Sequence, residues 1–253
     1  MILGINSYCY RHLPVRQAFK VISELGFKDV ELVSFCHLPF SPLDEAKIDE
    51  VKEILRQNGQ KVYSYYSAGF DLNNVSTAEN ACIVAEELGV NLLVGTGTFG
   101  KEGNRELVQK GLQVLDKMLE RHGLRFALEN HWRNIAETPE DMKGLVQGCS
   151  ENIGFTVDTG HFVSSGIDPI NALSSLLPRT YNIHLKDVKG HGAHENVPYG
   201  DGKAKIREVL RIISNEGYSG PMTIEYEPET GDPTEGIRKC IQFLKMTGYD
   251  FQL

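Results

Sequence analysis

Eight short apolar runs alternate with eight amphipathic stretches along this chain, and that alternation decides what the chain can fold into. The runs are apolar through most of their length, as strands are when both faces of a parallel sheet are buried. The stretches between them have helical periodicity; Ala18, Phe19 and Ile22, for example, fall on one face of segment 15–25. Strand and helix in repeated order predict a parallel α/β fold.

The number of units narrows this fold class further. We predict strands at 2–6, 29–33, 61–67, 91–95, 125–130, 153–158, 180–185 and 221–227. We predict helices at 15–25, 43–58, 76–88, 104–122, 138–147, 168–176, 203–216 and 233–246. Eight such units in 253 residues predict a (β/α)₈ TIM barrel, as a single domain over residues 1–253. A doubly wound sheet is the alternative, but it usually has fewer strands, and no GxGxxG motif follows the first strand.

Charge and composition argue against several classes of partner. The chain has 34 acidic and 26 basic residues and a net charge of −8, which disfavours nucleic acid, since a nucleic-acid binder presents a basic face. No apolar run reaches the roughly 18 residues of a membrane span, so we expect no membrane partner. Five cysteines without CxxC spacing indicate reduced thiols and predict a cytoplasmic protein.

Four successive predicted strands, the fifth to the eighth, carry near their ends a residue type that binds metals. These residues are Glu129, Asp158, His184 and Glu225. Because the carboxyl ends of barrel strands meet on one face, we expect the four side chains to converge on one divalent metal ion. Three carboxylates and one imidazole suit Mn²⁺, Mg²⁺, Co²⁺ or Zn²⁺. Mn²⁺ is favoured because a six-coordinate ion leaves room for substrate oxygens, whereas four-coordinate zinc would be closed.

The motifs around these residues resemble the xylose-isomerase-like TIM-barrel superfamily. This group of sugar phosphate isomerases and epimerases also contains inosose and dehydroshikimate dehydratases and, more distantly, the AP endonucleases. The resemblance spans essentially the whole chain. It rests on LENH (128–131), VDTGH (157–161), IHLKD (183–187) and IEYE (224–227), and on GFKDVEL (26–32), with Glu31 at its acidic position. Because the group shares these motifs, they do not choose its reaction.

The resemblance implies a reaction class and roles for two of the four ligands. It implies a divalent-metal-dependent sugar or sugar phosphate isomerase or epimerase that works through a metal-stabilised enediolate. Glu129 and Glu225 would be both ligands and the acid/base pair, while Asp158 and His184 would hold the ion only. It also implies a small-molecule carbohydrate substrate and a homo-oligomer.

Four further residues are candidates for substrate binding. By resemblance, His161 hydrogen-bonds a substrate hydroxyl. His131 lies two residues after Glu129 and Lys186 two after His184, so each shares a strand face with a candidate ligand. Trp132, the only tryptophan, is a candidate for an apolar wall behind a sugar ring or for a cover over the barrel top.

Other functions stay open at this point. A dehydratase of a cyclic polyol ketone, of the inosose or dehydroshikimate type, would use the same metal site, and a barrel that has lost its chemistry would only bind sugar. A DNA-repair nuclease is disfavoured, because it needs more ligands on the early strands, where only Glu31 stands out. Ketose 3-epimerases and hydroxypyruvate isomerases often have Glu-Pro where this chain has Glu129 and Asn130, which weakens those two assignments.

Overall fold

Eight parallel strands form a closed barrel in chain order in this computed structural model, which describes residues 2–67, 75–97 and 103–251. Ile5 of the first strand pairs with Ile224 of the last and so closes the barrel. The strands are β1 (Leu3–Asn6), β2 (Asp29–Val33), β3 (Lys61–Tyr66), β4 (Leu92–Gly95), β5 (Arg125–Glu129), β6 (Ile153–Asp158), β7 (Thr180–Leu185) and β8 (Met222–Ile224). The predicted TIM barrel is confirmed, and the doubly wound alternative is wrong.

Helices follow the strands and form the outer layer. They are α1 (Val15–Glu24), α2 (Ser34–His37), α3 (Glu45–Asn58), α4 (Ala78–Glu87), α5 (Arg105–His122), α6 (Pro139–Leu145), α7 (Thr159–Ser164), α8 (Pro169–Leu176), α9 (Ile206–Asn215) and α10 (Thr234–Lys245). Each predicted helix is present, with ends shifted by up to three residues. The short helices α2 and α7 were not predicted; each begins directly after a strand. Within the described ranges, no helix has both the length and the apolar character needed to span a membrane.

Helix ends follow from local chemistry that is visible in the sequence. The Asn104 side chain accepts hydrogen bonds from the first backbone N–H groups of α5, and Thr138 forms a reciprocal capping box with Asp141 at the start of α6. Gly59 and Gly123 end α3 and α5 with φ of 62° and 65°, a left-handed conformation that is strained for residues with a Cβ atom.

The last strand is shorter than predicted. β8 ends at Ile224, whereas the prediction extended it to residue 227. Glu225 therefore lies just beyond the strand, but its backbone N–H still donates to the Leu185 carbonyl at 3.1 Å. That hydrogen bond keeps Glu225 beside the end of β7.

Polar side chains fill part of the barrel interior. Fully buried Glu31, Ser64, Asn182 and Thr223 come from four different strands. Asn182 donates to Glu31 at 2.9 Å, and Thr223 donates to Asn182 at 3.1 Å. This layer is hydrogen-bonded within itself, as buried polar groups must be to avoid a desolvation penalty. One member of this layer, Glu31, contacts the imidazole of His184.

Candidate metal centre

The barrel brings the four predicted ligands together at the carboxyl ends of β5 to β8. Each of them offers one ligand atom within 4.8 Å of the others, and all four residues are buried. His184 Nδ1 lies 2.7 Å from Glu129 Oε1, 2.7 Å from Glu225 Oε2 and 4.0 Å from Asp158 Oδ2. The spacing of about one strand–helix unit per ligand thus places all four side chains around one point.

The cluster fits a divalent cation because its inward-facing atoms lack other partners. In the part of the chain that the structure describes, Asp158 Oδ2, His184 Nδ1 and Glu225 Oε2 are buried without a hydrogen bond of acceptable geometry. Each such unpaired buried group costs about 1–3 kcal/mol. Three carboxylates this close also repel one another. A bound divalent ion would remove both penalties, so these residues suit a metal ion.

The local structure around Asp158 explains the DTGH motif. Asp158 Oδ1 accepts the backbone N–H of His161 at 2.6 Å and caps α7, which leaves Oδ2 for the cluster. Asn130 holds the Asp158 backbone by accepting from its N–H at 2.8 Å and donating to its carbonyl at 3.0 Å. A Cβ atom at Gly160 would lie 2.7 Å from Lys186 Cγ, so only glycine fits there. Through its two hydrogen bonds, Asn130 thus positions the backbone of Asp158.

Glu31 orients the imidazole of His184. Glu31 Oε1 lies 2.8 Å from His184 Nε2, and both side chains are fully buried. Glu31 also accepts from Asn6 at 2.9 Å and from Ser64 at 2.7 Å, so its carboxylate is fixed in turn. A carboxylate behind a ligating histidine sets which ring nitrogen faces the metal. The sequence marked Glu31 only as an acidic position in a strand motif, with no role.

The charge of His184 links metal binding to pH. Burial lowers its pKa, but the carboxylates of Glu31, Glu225 and Glu129 together raise the pKa of His184 well above its usual value. These carboxylates therefore favour the protonated form of His184 when no metal ion is bound. Because a metal ion binds neutral imidazole, protons compete with the ion for His184, and we expect metal affinity to fall as the pH is lowered.

The two candidate acid/base glutamates have different surroundings. The Tyr66 hydroxyl, a neutral donor, hydrogen-bonds Glu129 Oε2. Glu225 Oε1 instead accepts from the Lys186 ammonium at 2.9 Å. Burial raises the pKa of Glu225, but the charges of Lys186 and His184 outweigh burial and lower it below its usual range. Both carboxylates contact His184, but the second oxygen of Glu129 has a neutral partner and that of Glu225 a cation.

Lys186 lies beneath the cavity and is only 1% exposed. Its ammonium contacts Glu225 and Glu227 and lies 3.8 Å from Asp158 Oδ2. The ammonium is therefore held by carboxylates of the protein itself. Sequence reasoning missed Glu227, although it belongs to the IEYE motif and follows Glu225 by two residues, the spacing that keeps two side chains on one face of an extended chain.

The candidate substrate-binding histidines lie together beside the cluster. The rings of His131 and His161 have centroids 3.9 Å apart, and the ring of His194 lies 5.4 Å from that of His161. Trp132 stacks on His194 at 5.8 Å, and Arg133 covers the outer face of Trp132 at 4.3 Å. Sequence reasoning missed His194, which is separated from its partners by a long loop and has no motif spacing.

A cavity of about 160 Å³ opens above these groups. Glu129, Glu225 and the three histidines line its inner part, while Tyr8 and Phe35 pack edge to face at 5.4 Å on its wall. Phe35 is 53% exposed, which is unusual for a phenylalanine and gives the cavity an apolar rim. Its other lining residues are Asn6, Val33, Tyr66, Thr96 and Glu227.

A larger cavity of about 720 Å³ lies at the opposite, amino-terminal end of the barrel. It is lined by residues at the starts of strands, among them Leu92, Arg125, Thr180 and Pro221. In TIM-barrel enzymes the amino-terminal face serves stability, and the active site is at the carboxyl ends of the strands. The smaller cavity, which contains the clustered ligands, is therefore the candidate site.

The fold and the site define a closed β/α barrel with a buried carboxylate–imidazole cluster at its carboxyl end that could hold a metal ion. The model of the family described as xylose isomerase-like TIM barrel matches residues 19–247, and the chain belongs to this family. The family resemblance seen in the motifs is thereby confirmed.

Known proteins similar to this chain include both dehydratases and epimerases. The inosose dehydratase of Bacillus thuringiensis (strain Al Hakam) is 26% identical over an alignment of 270 positions, which covers 96% of this chain and 86% of the relative. A D-tagatose 3-epimerase-like protein has a TM-score of 0.81 at 20% identity, with 98% of each chain covered. The IOLI protein, solved with a bound zinc atom, has a TM-score of 0.80 at 18% identity and the same coverage. The two structures support the fold, and none of the three decides the reaction.

Proposed function

We propose that this chain is a divalent-metal-dependent isomerase or epimerase that moves a proton at a carbon next to the carbonyl of a small carbohydrate. The observation that carries the proposal is the pair Glu129 and Glu225. Both line one cavity, and each places an oxygen 2.7 Å from His184 Nδ1. They come from strands on different sides of β7, so they can face a substrate from two directions. A metal ion bound there would polarise the substrate carbonyl and acidify the adjacent C–H bond.

The surroundings of the two glutamates support a division of roles. Glu129 removes the proton, while the Tyr66 hydroxyl holds its second oxygen. Glu225 returns a proton to the neighbouring carbon in an isomerase, or to the opposite face of the same carbon in an epimerase. His161 and His131 hydrogen-bond substrate hydroxyls in this proposal. Lys186 keeps Glu225 in place through the 2.9 Å contact.

Manganese is our preferred ion. Three of the four ligands are carboxylates, and such hard oxygen donors suit Mn²⁺ and Mg²⁺ better than they suit zinc. Metal-free protein reloaded with Mn²⁺, Mg²⁺, Co²⁺ or Zn²⁺ would test this. The highest turnover with Mn²⁺ is the expected result, and the highest turnover with Zn²⁺ would contradict it.

A dehydratase of a cyclic polyol ketone is the second candidate. It needs the same proton removal, followed by cleavage of the β-carbon–oxygen bond, with the departing hydroxyl taking up a proton to leave as water. Lys186 and Glu227 beside Glu225 form a group of proton-bearing side chains that could serve this step. The likeness to an inosose dehydratase over 96% of the chain also favours it.

One assay separates these candidates. Metal-loaded protein is incubated in D₂O with a panel of ketoses, their phosphates and cyclic polyol ketones. Deuterium incorporation with the skeleton intact supports the isomerase or epimerase, whereas loss of one water supports the dehydratase. No exchange and no water loss on any panel member, with sugar binding retained, would support a sugar-binding barrel instead.

Matched variants test the two glutamates themselves. Glu129→Gln and Glu225→Gln should each lower turnover by about 10²- to 10⁴-fold, the usual contribution of a general acid or base. Glu195→Gln is the control, because Glu195 is exposed and pairs with Lys189 on the surface at 2.7 Å. Unchanged turnover in either site variant would remove that residue from the mechanism.

Assembly and compartment are also proposals. The five cysteines are free in the structure, which supports a reducing, cytoplasmic setting. Homo-oligomer formation is expected from the family resemblance. Analytical ultracentrifugation of the full chain would test it, and a single monomeric species at high concentration would contradict it.

A further inference from the structure

We propose that the thiol of Cys9 positions Glu225, one of the four candidate metal ligands, by taking the place of a missing strand partner. This inference rests on the proposed function, because it takes Glu225 to bind the ion. Cys9 is fully buried. Its Sγ donates to the Ile224 carbonyl at 3.9 Å and accepts the backbone N–H of Tyr226 at 3.4 Å. The thiol therefore contacts the backbone on both sides of Glu225.

The backbone on either side of Glu225 faces β1. Met222 of β8 donates to the Ile2 carbonyl at 3.0 Å, whereas Glu225 donates to Leu185 of β7 at 3.1 Å. Successive residues of a strand direct their backbone groups to opposite neighbouring strands. The residues before and after Glu225 therefore direct their backbone groups to the same side as Met222, toward β1.

β1 ends too early to meet these groups. The register between β1 and β8 ends with Ile5 opposite Ile224, and after Asn6 the chain turns into a 3₁₀ helix, Ser7–Tyr10. Buried backbone donors and acceptors need hydrogen-bond partners. A thiol can both donate and accept, so Cys9 in this helix serves the carbonyl and the N–H group that would have continued the pairing.

The 3₁₀ helix that carries Cys9 is fixed at its start. Asn6 Oδ1 accepts the backbone N–H of Tyr8 at 2.8 Å, and Asn6 Nδ2 donates to Glu31 Oε1 at 2.9 Å. Glu31 Oε1 also lies 2.8 Å from His184 Nε2. The same carboxylate thus contacts one candidate ligand directly and anchors the helix whose thiol supports another.

The position of Glu225 matters because both of its carboxylate oxygens have partners. Oε2 lies 2.7 Å from His184 Nδ1, and Oε1 accepts from Lys186 at 2.9 Å. Groups that bind a ligand must be held to within about 0.5 Å of the productive geometry. Glu225 lies just past the end of β8, so the hydrogen bond to β7 on one side and the Cys9 thiol on the other take over the task of the strand.

A buried cysteine can also act as a small apolar residue that fills space. The two roles predict opposite rankings of variants at position 9. Valine fills a similar volume without forming hydrogen bonds, whereas serine keeps a donor and an acceptor on a smaller side chain. If Cys9 only fills space, Cys9→Val should bind metal better than Cys9→Ser. If Cys9 positions Glu225, Cys9→Ser should bind metal better than Cys9→Val.

The test is calorimetric titration of metal-free full-length protein with Mn²⁺, which needs no turnover. We expect Cys9→Ala and Cys9→Val to bind about 10-fold more weakly than wild type, at the low end for residues that support a ligand, because sulfur forms weak hydrogen bonds. Cys9→Ser should restore most of the affinity. The control Cys82→Ala removes another fully buried thiol, on α4, and should leave the affinity unchanged.

Two results of this titration would overturn the proposal about Cys9 alone: wild-type affinity in Cys9→Val, or an affinity of Cys9→Ser below that of Cys9→Val. Absence of Mn²⁺ binding by the wild type would refute the metal site itself, and the proposed function with it. Thermal unfolding of the metal-free variants separates affinity from stability. Affinities that merely follow the order of the unfolding temperatures would also count against positioning.

A double-mutant cycle tests whether Cys9 acts through Glu225. Cys9→Ala should weaken Mn²⁺ binding by the same factor in wild type and in Glu129→Gln, because Glu129 lies on another strand. In Glu225→Gln the same change should have little effect, because the carboxylate that Cys9 positions is already gone. An equal loss in both backgrounds would show a general effect on the cluster and would contradict the proposal.

Discussion

Replacing Lys186 by methionine tests whether the candidate site is held together by charge. Lys186 is 1% exposed, and its ammonium lies 2.9 Å from Glu225 Oε1, 3.8 Å from Asp158 Oδ2 and in contact with Glu227. Methionine keeps most of the side-chain volume but removes the cation. Removing one partner of a buried ion pair costs about 3–5 kcal/mol, because the remaining charge stays buried and uncompensated. In a chain of this size that corresponds to a fall in unfolding temperature of about 6–20 °C.

Thermal unfolding with and without bound metal is the assay for this variant. Metal-free Lys186→Met should show the full loss, and saturation with Mn²⁺ should restore part of it, because the ion offsets the charge of Glu225 and Asp158. Lys189→Met is the control: Lys189 pairs with Glu195 at 2.7 Å, but both side chains are more than half exposed, so about 0–1 kcal/mol is expected. A loss in the metal-free Lys186→Met protein as small as that of the control would refute the reasoning.

Two further predictions follow from buried or partly buried contacts. Glu31→Gln should weaken metal binding by about 10- to 100-fold in calorimetric titration, since it removes the carboxylate behind His184; unchanged affinity would count against that role. The imidazole of His122 lies 2.9 Å from Glu86 and 2.9 Å from Glu79. The contact with Glu86 raises the pKa of His122, burial lowers it, and the contact with Glu79 raises it, so that the pKa is raised on balance. A group whose pKa is raised on folding contributes its full stabilising free energy below the unfolded pKa, about 6.5 for histidine. That contribution is lost as the pH rises through the folded pKa. The difference in unfolding free energy between wild type and His122→Gln should therefore be largest in acid and shrink as the pH rises through the folded pKa; a constant difference would contradict this assignment.

The fold could be predicted because the deciding signals are local. Uninterrupted apolar runs, helical periodicity and glycines such as Gly59 and Gly123 mark each unit without knowledge of its neighbours. The errors lie where the tertiary structure decides. The end of β8 at Ile224 depends on how far its neighbours pair with it, and α7 depends on the cap that Asp158 gives once β6 is in place.

The site could be predicted only as far as strand order carries it. Residues at corresponding ends of successive strands meet by geometry, so the convergence of Glu129, Asp158, His184 and Glu225 followed from spacing. His194 could not be found this way, because a long loop carries it back over the barrel and its position depends on the hydrogen bonds that fix that loop. The environments of the ligands were equally hidden, since each partner comes from another strand.

Those hidden environments are what separate the two glutamates chemically. Glu129 and Glu225 each place one oxygen 2.7 Å from His184 Nδ1, but the second oxygen of Glu129 has only a neutral partner, the Tyr66 hydroxyl. The second oxygen of Glu225 instead accepts from the Lys186 ammonium, an ion pair that Glu225 would have to give up on becoming protonated. In the proposed reaction we therefore expect Glu129, and not Glu225, to remove the first proton.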